Sequence, residues 1–173
     1  MLIRDATEAD IPALAAIYAH HVLHGTGTFE ETPPDPAEMA GRFALITGQG
    51  FAWLVAEAPD GILLGYAYHA PFRNRSGYRY TAENAIYVRD DVRGQGVGKA
   101  LVEALLARAE AAGLRQMYAL IGDSENAGSI GLHVSAGFRR VGVMKAAGFK
   151  FGRWLDVVIM QKTLGEGDHS LPE

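Results

Sequence analysis

Three glycines in seven residues mark the stretch best suited to chemistry, Arg93-Gly94-Gln95-Gly96-Val97-Gly98-Lys99. A strand-like run ends just before it, and the strongest helical pattern of the chain starts inside it. A helix start exposes unpaired amide N–H groups and the positive end of the helix dipole, and glycine lets a ligand come close to that backbone, so the position suits a phosphorylated ligand. Two familiar phosphate loops do not fit. A Walker A loop needs Gly at 93 and Ser or Thr at 100, where the chain has Arg93 and Ala100. A dinucleotide GxGxxG starting at Gly94 needs Gly at 99, where Lys99 stands. Taken alone, the segment is also an ordinary glycine turn between a strand and a helix.

The other reactive residue types narrow the field. With no cysteine, the chain has no thiolate nucleophile, thiolate metal site or disulfide scaffold, and it suits a reducing compartment. His20, His21 and His24 form the only histidine cluster. A zinc-protease helix would need Glu where His21 stands, no other ligand set has metal spacing, and cations near a helix C-terminus are favourable anyway. No metal is expected.

The elements that must position these residues follow from periodicity. Residues 2–4 suit a short strand. Thr7-Glu8-Ala9-Asp10 has capping-box spacing before a helix that presents Ile11, Leu14, Tyr18 and Val22 on one face and ends near His24-Gly25. Asp35-Pro36-Ala37-Glu38 starts a second helix running through Leu45. Strands at 52–56 and 62–68 flank a Pro59-Asp60-Gly61 turn, and a third strand spans 80–88. A helix over 97–112 closes at Gly113, a buried strand covers 117–121, a helix over 126–136 ends at Gly137, and strands follow at 138–144 (short) and 154–164. The order predicts an α/β fold with a mixed sheet in a single domain over 1–165, and 166–173 is expected to be a loose tail.

Bulk properties agree with a soluble globular enzyme-sized domain of 173 residues, 49% of them hydrophobic. Sixteen Lys and Arg against twenty Asp and Glu leave a formal charge of −4, so no basic field collects nucleic acid. The N-terminus lacks the pattern of a secretory signal, and no apolar run approaches the ~18 residues of a membrane span. No membrane partner and a cytoplasmic location are the expectation.

The spacing that does fit the glycine segment is RxxGxG, which resembles the pyrophosphate arm of the GNAT acetyltransferase superfamily. Asn126-Ala127-Gly128-Ser129-Ile130-Gly131-Leu132-His133-Val134-Ser135-Ala136-Gly137-Phe138 resembles the other half of the same pattern, an Asn, then His seven residues later, then Gly-Phe. A narrower likeness runs through Pro71 to Glu83, Ile86-Tyr87-Val88, Leu132-His133 and Gly148 to Asp156. These stretches are similar to the phosphinothricin and methionine sulfone N-acetyltransferase family. Ala82 stands where Val is usual and Asn84 where Ser or His is more familiar, which leaves the preferred substrate open.

The resemblance implies a GNAT fold: a mostly antiparallel twisted sheet with a splayed strand pair and helices on both faces. It implies acetyl-CoA as donor, a small amino-acid-like acceptor acylated on its α-amino group, and a homodimer. It assigns Glu83 as general base and His133 as proton donor to the departing thiolate. Arg93, Gly94, Gln95, Gly96, Val97, Gly98 and Lys99 would hold the pyrophosphate, Ile86, Tyr87 and Val88 would offer backbone groups to the pantetheine, and Asn126 would hydrogen-bond it or nearby water. Arg73 and Arg75 are candidates for the acceptor's oxygens, which a guanidinium fork matches. Asn74, Tyr78, Thr81, Asn84 and Ala85 line the same substrate side, with Phe29 and Glu30 as its wall, and Lys150 to Trp154 reach either the site mouth or a dimer partner. Two other functions remain compatible with these residues, a GNAT acting on another small amine and an acetyl-CoA-binding sensor without turnover.

Overall fold

The computed structural model describes residues 1–172. Its first helical start forms where the spacing predicts: Asp10 accepts a hydrogen bond from Thr7 N at 2.8 Å and is held by Arg4 at 2.8 Å, so a single 3-10 turn leads into helix α1 (Ile11–His24). Asp35 caps helix α2 (Pro36–Gly48) by accepting from Glu38 N at 2.8 Å. Helices α3 (Val97–Ala111) and α4 (Ala127–Ser135) follow.

The strands are β1 (Leu2–Asp5), β2 (Trp53–Glu57), β3 (Leu63–Pro71), β4 (Thr81–Val88), β5 (Gln116–Gly122), β6 (Arg139–Lys150) and β7 (Arg153–Thr163). They form one sheet in the order β1-β2-β3-β4-β5-β7-β6. Every neighbouring pair is antiparallel except β4 and β5, which run parallel and pair only from Thr81–Gln116 to Glu83–Tyr118. Beyond Glu83 the two strands diverge, and the sheet opens there.

Pleating sends alternate side chains to opposite faces. On one face Trp53, Val55 and Tyr66 pack against α1 and α2 through Leu14, Tyr18, Met39 and Phe43. On the other, Leu54, Ala56 and Ala67 meet Val97, Leu101 and Leu105 of α3. A further cluster joins Val102, Leu106 and Ala109 of α3 to Met117, Ala119 and Ile121 of β5 and Val158 and Met160 of β7. Helix α4 lies beside α3: a Cβ on Gly98 would sit 3.2 Å from Leu132 Cδ2.

One expectation needs correction. Strand β6 continues six residues past the predicted end at 144, because its ladder with β7 resumes at Gly148–Leu155 after a register shift; Ala146 there adopts φ +49. Glycine and alanine break the apolar alternation in this stretch, so backbone pairing alone defines the strand. In the C-terminal segment, residues 166–170 form turns in which Arg115 donates to Gly167 O at 3.4 Å and Ser170 Oγ at 3.1 Å; Glu173 lies outside the described residues. Among the described residues no helix is long and apolar enough to cross a membrane.

Candidate active site

The divergence of β4 from β5 creates a cleft of about 980 Å³ that reaches the start of α3, the start of α4 and the chain after α1. Strand alternation decides which backbone groups face it. Arg89 N donates to Leu64 O and Phe72 N to Thr81 O, so odd-numbered residues of β4 point their amides at β3 and even-numbered ones point theirs away from it. Ile86 and Val88 therefore offer backbone groups to the cleft and Tyr87 does not. The Tyr87 ring instead lies in an aromatic cluster, 4.9 Å from Tyr18 and 5.3 Å from Tyr66. The Val88 carbonyl already has a donor, His21 Nε2 at 2.9 Å.

At the cleft's edge the glycine segment makes the turn into α3. Gly94 and Gly96 adopt φ +75 and +84, and apart from the adjoining residues no atom of the described chain lies within 4 Å of where a Cβ would stand on either. Open space surrounds both positions and both line the cleft, so their backbone is free to meet a ligand there. Gly98 has a different reason, since it lets α4 approach. Arg93, Val97 and Lys99 border the cleft, while Gln95 turns its amide back towards Asp91 O at 3.5 Å and does not.

Glu83 lies at the last paired position before the strands part, half-buried, on the α1 face of the sheet. Burial pushes its carboxyl above the ordinary glutamate value, and the nearby Arg73 guanidinium pulls in the other direction. Ala85 and Tyr68 flank it on that face and also line the cleft. Among the described residues no cation lies within ion-pair distance of Glu83, which leaves the carboxylate available to a ligand.

Asn84 points to the opposite face and meets His133 of α4, with Asn84 Nδ2 3.2 Å from His133 Nε2. The other ring nitrogen, His133 Nδ1, is 2.8 Å from Ser129 O, which only accepts. The proton of the neutral ring is therefore on Nδ1, and Nε2 receives the Asn84 amide. Burial lowers the His133 pKa, against the hydrogen bond to Ser129 O. Asn126, also on the cleft, caps α4 by accepting from Ser129 N at 3.2 Å, with its own amide 3.5 Å from Gly122 O.

Several expected residues lie away from the cleft. Arg73, Asn74, Arg75 and Tyr78 are exposed on the loop around the 3-10 turn Ser76–Tyr78; Arg73 sits over the Phe72 ring at 4.3 Å. Thr81 opens β4 where pairing with β5 is still intact. Glu30 is held by Arg42 at 2.7 Å and Tyr18 at 2.9 Å, and these bonds keep its carboxyl below the ordinary range. Phe29 packs into the sheet rather than into the opening, against Gly122 and Gly148.

Conversely, the cleft takes residues that no local pattern flagged. His21 reaches it from a position that looked like a helix-end cation, and burial lowers its pKa. Asp123, with φ +74, receives Arg153 at 2.7 Å across it. The segment 150–154 divides: Phe151 and Arg153 border the cleft, Lys150 is buried at 1% exposure, and Trp154 is exposed. No group of metal-binding side chains occurs among the described residues.

Comparison with known proteins places this geometry. The family described as "Acetyltransferase (GNAT) domain" matches residues 3–159. A phosphinothricin N-acetyltransferase of Alcaligenes faecalis is 52% identical over 171 residues, 99% of this chain and 86% of that protein. An L-methionine sulfoximine/L-methionine sulfone acetyltransferase of Pseudomonas aeruginosa is 47% identical over 94% of both chains. The crystal structure of a phosphinothricin acetyltransferase from Sinorhizobium meliloti in complex with AcCoA superposes with a TM-score of 0.97 at 49% identity, covering 99% of this chain and 92% of that one. The sequence is shared with these relatives and the fold with that crystal structure, and the chain belongs to the GNAT family of acetyltransferases.

Proposed function

We propose that the protein transfers the acetyl group of acetyl-CoA to the α-amino group of a small amino-acid analogue such as phosphinothricin, methionine sulfoximine or methionine sulfone, with Glu83 as general base. The observation that carries this reading is Glu83 itself: a half-buried carboxylate with no ion-pair partner among the described residues, beside the opening of the sheet, its pKa raised by burial above the ordinary glutamate value as a general base needs. The relatives' names supply the acceptor class.

The chain's own groups fit the donor. Bare backbone at Gly94 and Gly96, the positive start of α3 and Arg93 suit the pyrophosphate, and the free amide and carbonyl of Ile86 suit an extended amide-bearing chain laid along β4. When bound, acetyl-CoA supplies the activated thioester carbonyl. Glu83 takes a proton from the acceptor's ammonium, directly or through water, and leaves a neutral nitrogen with a lone pair. Arg73, exposed on the loop before β4 but close enough to influence Glu83 electrostatically, is the guanidinium assigned in this reading to the acceptor's acidic oxygens. His133 serves as a hydrogen-bonding partner that orients Asn84, since its Nε2 carries a lone pair and its proton is committed to Ser129 O.

A second copy of the chain covers the outer strand in this reading. β6 is a sheet edge, and Val141, Met144 and Phe149 on it, with Trp154 beside them, are 40, 42, 55 and 67% exposed. The deciding experiment is a panel of free amines incubated with acetyl-CoA and followed by thiol release. Methionine sulfone, methionine sulfoximine and phosphinothricin should lead the panel; a preference for polyamines or aminoglycosides would overturn the acceptor assignment.

A further inference from the structure

Residues 25–30 form a segment without regular structure between α1 and α2, and Gly25 to Thr28 border the cleft. They lie on the Glu83 side of the sheet: a Cβ on Gly122 would fall 2.3 Å from Thr26 O, and Gly122 shares its face of β5 with Tyr118, the partner of Glu83. The glycine turn belongs to α3, on the opposite face. Segment 25–30 therefore walls the acceptor's half of the cleft.

What holds this wall comes from the far end of the chain. Lys150, the last residue of β6, is 1% exposed, and its Nζ donates to Gly25 O at 2.8 Å and Thr28 O at 2.9 Å. An ammonium is costly to bury without partners, and here the partners are backbone carbonyls, 125 and 122 residues away in sequence. The side chain does not border the cleft itself. The Phe29 ring completes the joint by lying against Gly148, where a Cβ would be 2.3 Å from it. On the other side the wall is tied to α1 by Tyr18, whose hydroxyl is 2.8 Å from Thr28 Oγ1.

We propose that Lys150 is a positioning residue for the acceptor amine: by pinning the carbonyls of Gly25 and Thr28 it holds the wall of the Glu83 half of the cleft in its binding shape. This rests on the acetyl-transfer reading for its kinetic consequence, though not for its structural one. Lys150→Met keeps the length of the stem and removes all donors. Its KM for methionine sulfone should rise about tenfold with little change in KM for acetyl-CoA, the loss expected when charge-assisted hydrogen bonds that shape one subsite disappear. Amide hydrogen exchange, which needs no turnover, should quicken about tenfold within 25–30 and stay unchanged in β4 and at the start of α3.

Unaltered exchange in 25–30, or equal increases in both KM values, would overturn the proposal. Lack of activity of the unmodified enzyme on every amino-acid analogue would sink the acceptor assignment alone, and exchange would then decide the role of Lys150. Should Lys150→Met fail to fold, Lys150→Gln, with two N–H donors on a shorter stem, takes its place in both measurements.

Discussion

Single side chains in this cleft owe their chemistry to the face they occupy. Glu83 and Asn84 are neighbours in sequence, yet pleating sends one carboxylate towards α1 and the open cleft and the other side chain into a buried pair with His133. In the proposed reaction the first is the base, and the second is a buried partner of His133. Glu83→Gln preserves shape and removes the proton acceptor, so turnover should fall roughly 10²-fold or more at neutral pH while acetyl-CoA affinity, measured by titration, changes little. Because burial raises the Glu83 pKa, the group stays protonated to a higher pH than an exposed glutamate. The rising limb of kcat/KM should accordingly be displaced upward from the ordinary glutamate range, and a pH–rate profile of the variant should lack it.

At the scale of elements, the short β4–β5 ladder and the turn into α3 shape the cleft that the proposed reaction uses. Three paired positions join these strands before they part, and the turn places its two positive-φ glycines at the resulting edge. Gly96 has open space around its missing Cβ, so the penalty for a side chain there is conformational, about 1–2 kcal/mol for an L-residue held at left-handed φ. A folded Gly96→Val protein should lose acetyl-CoA affinity well beyond that small drop in stability, because the branched side chain fills that open space. Calorimetric titration beside a thermal melt separates the two effects; unchanged affinity would locate the pyrophosphate elsewhere.

For the molecule as a whole, ligand and protons act on one folding equilibrium. Acetyl-CoA at about 100 times its Kd should stabilise the native state by roughly 2.7 kcal/mol through mass action, visible as a rise in Tm that NAD and ATP do not produce. Protons act through His69, which is 1% exposed with neither ring nitrogen hydrogen-bonded among the described residues, and whose pKa burial lowers to about 4. Its folded pKa lies below the unfolded one, so the unfolded chain takes up a proton first as pH falls. Stability is then full above about pH 6.5 and declines down to about pH 4, by on the order of 3 kcal/mol for this group. His21 and His133 shift in the same direction. Denaturant melts from pH 7 to 4 should show that decline, and His69→Leu should make it shallower.

Much of this molecule was determined locally. The capping box at Thr7, the proline-started α2, the turn at Pro59-Asp60-Gly61 and the glycine turn into α3 are short-range chemistry, and they form where their residue types require. The order of elements was legible for the same reason, whereas the candidate site residues along β4, α3 and α4 were singled out by resemblance to a family and not by local chemistry. Long-range geometry decided the rest. No local pattern makes Lys150 seek carbonyls more than 120 residues away, brings His21 to the Val88 carbonyl, or separates Phe151 and Arg153, which border the cleft, from the exposed Trp154. The tautomer of His133 likewise depends on which acceptor the fold sets beside each nitrogen. Local propensity places a residue on an element; which face, which neighbour and which charge state it meets depends on how the seven strands assemble.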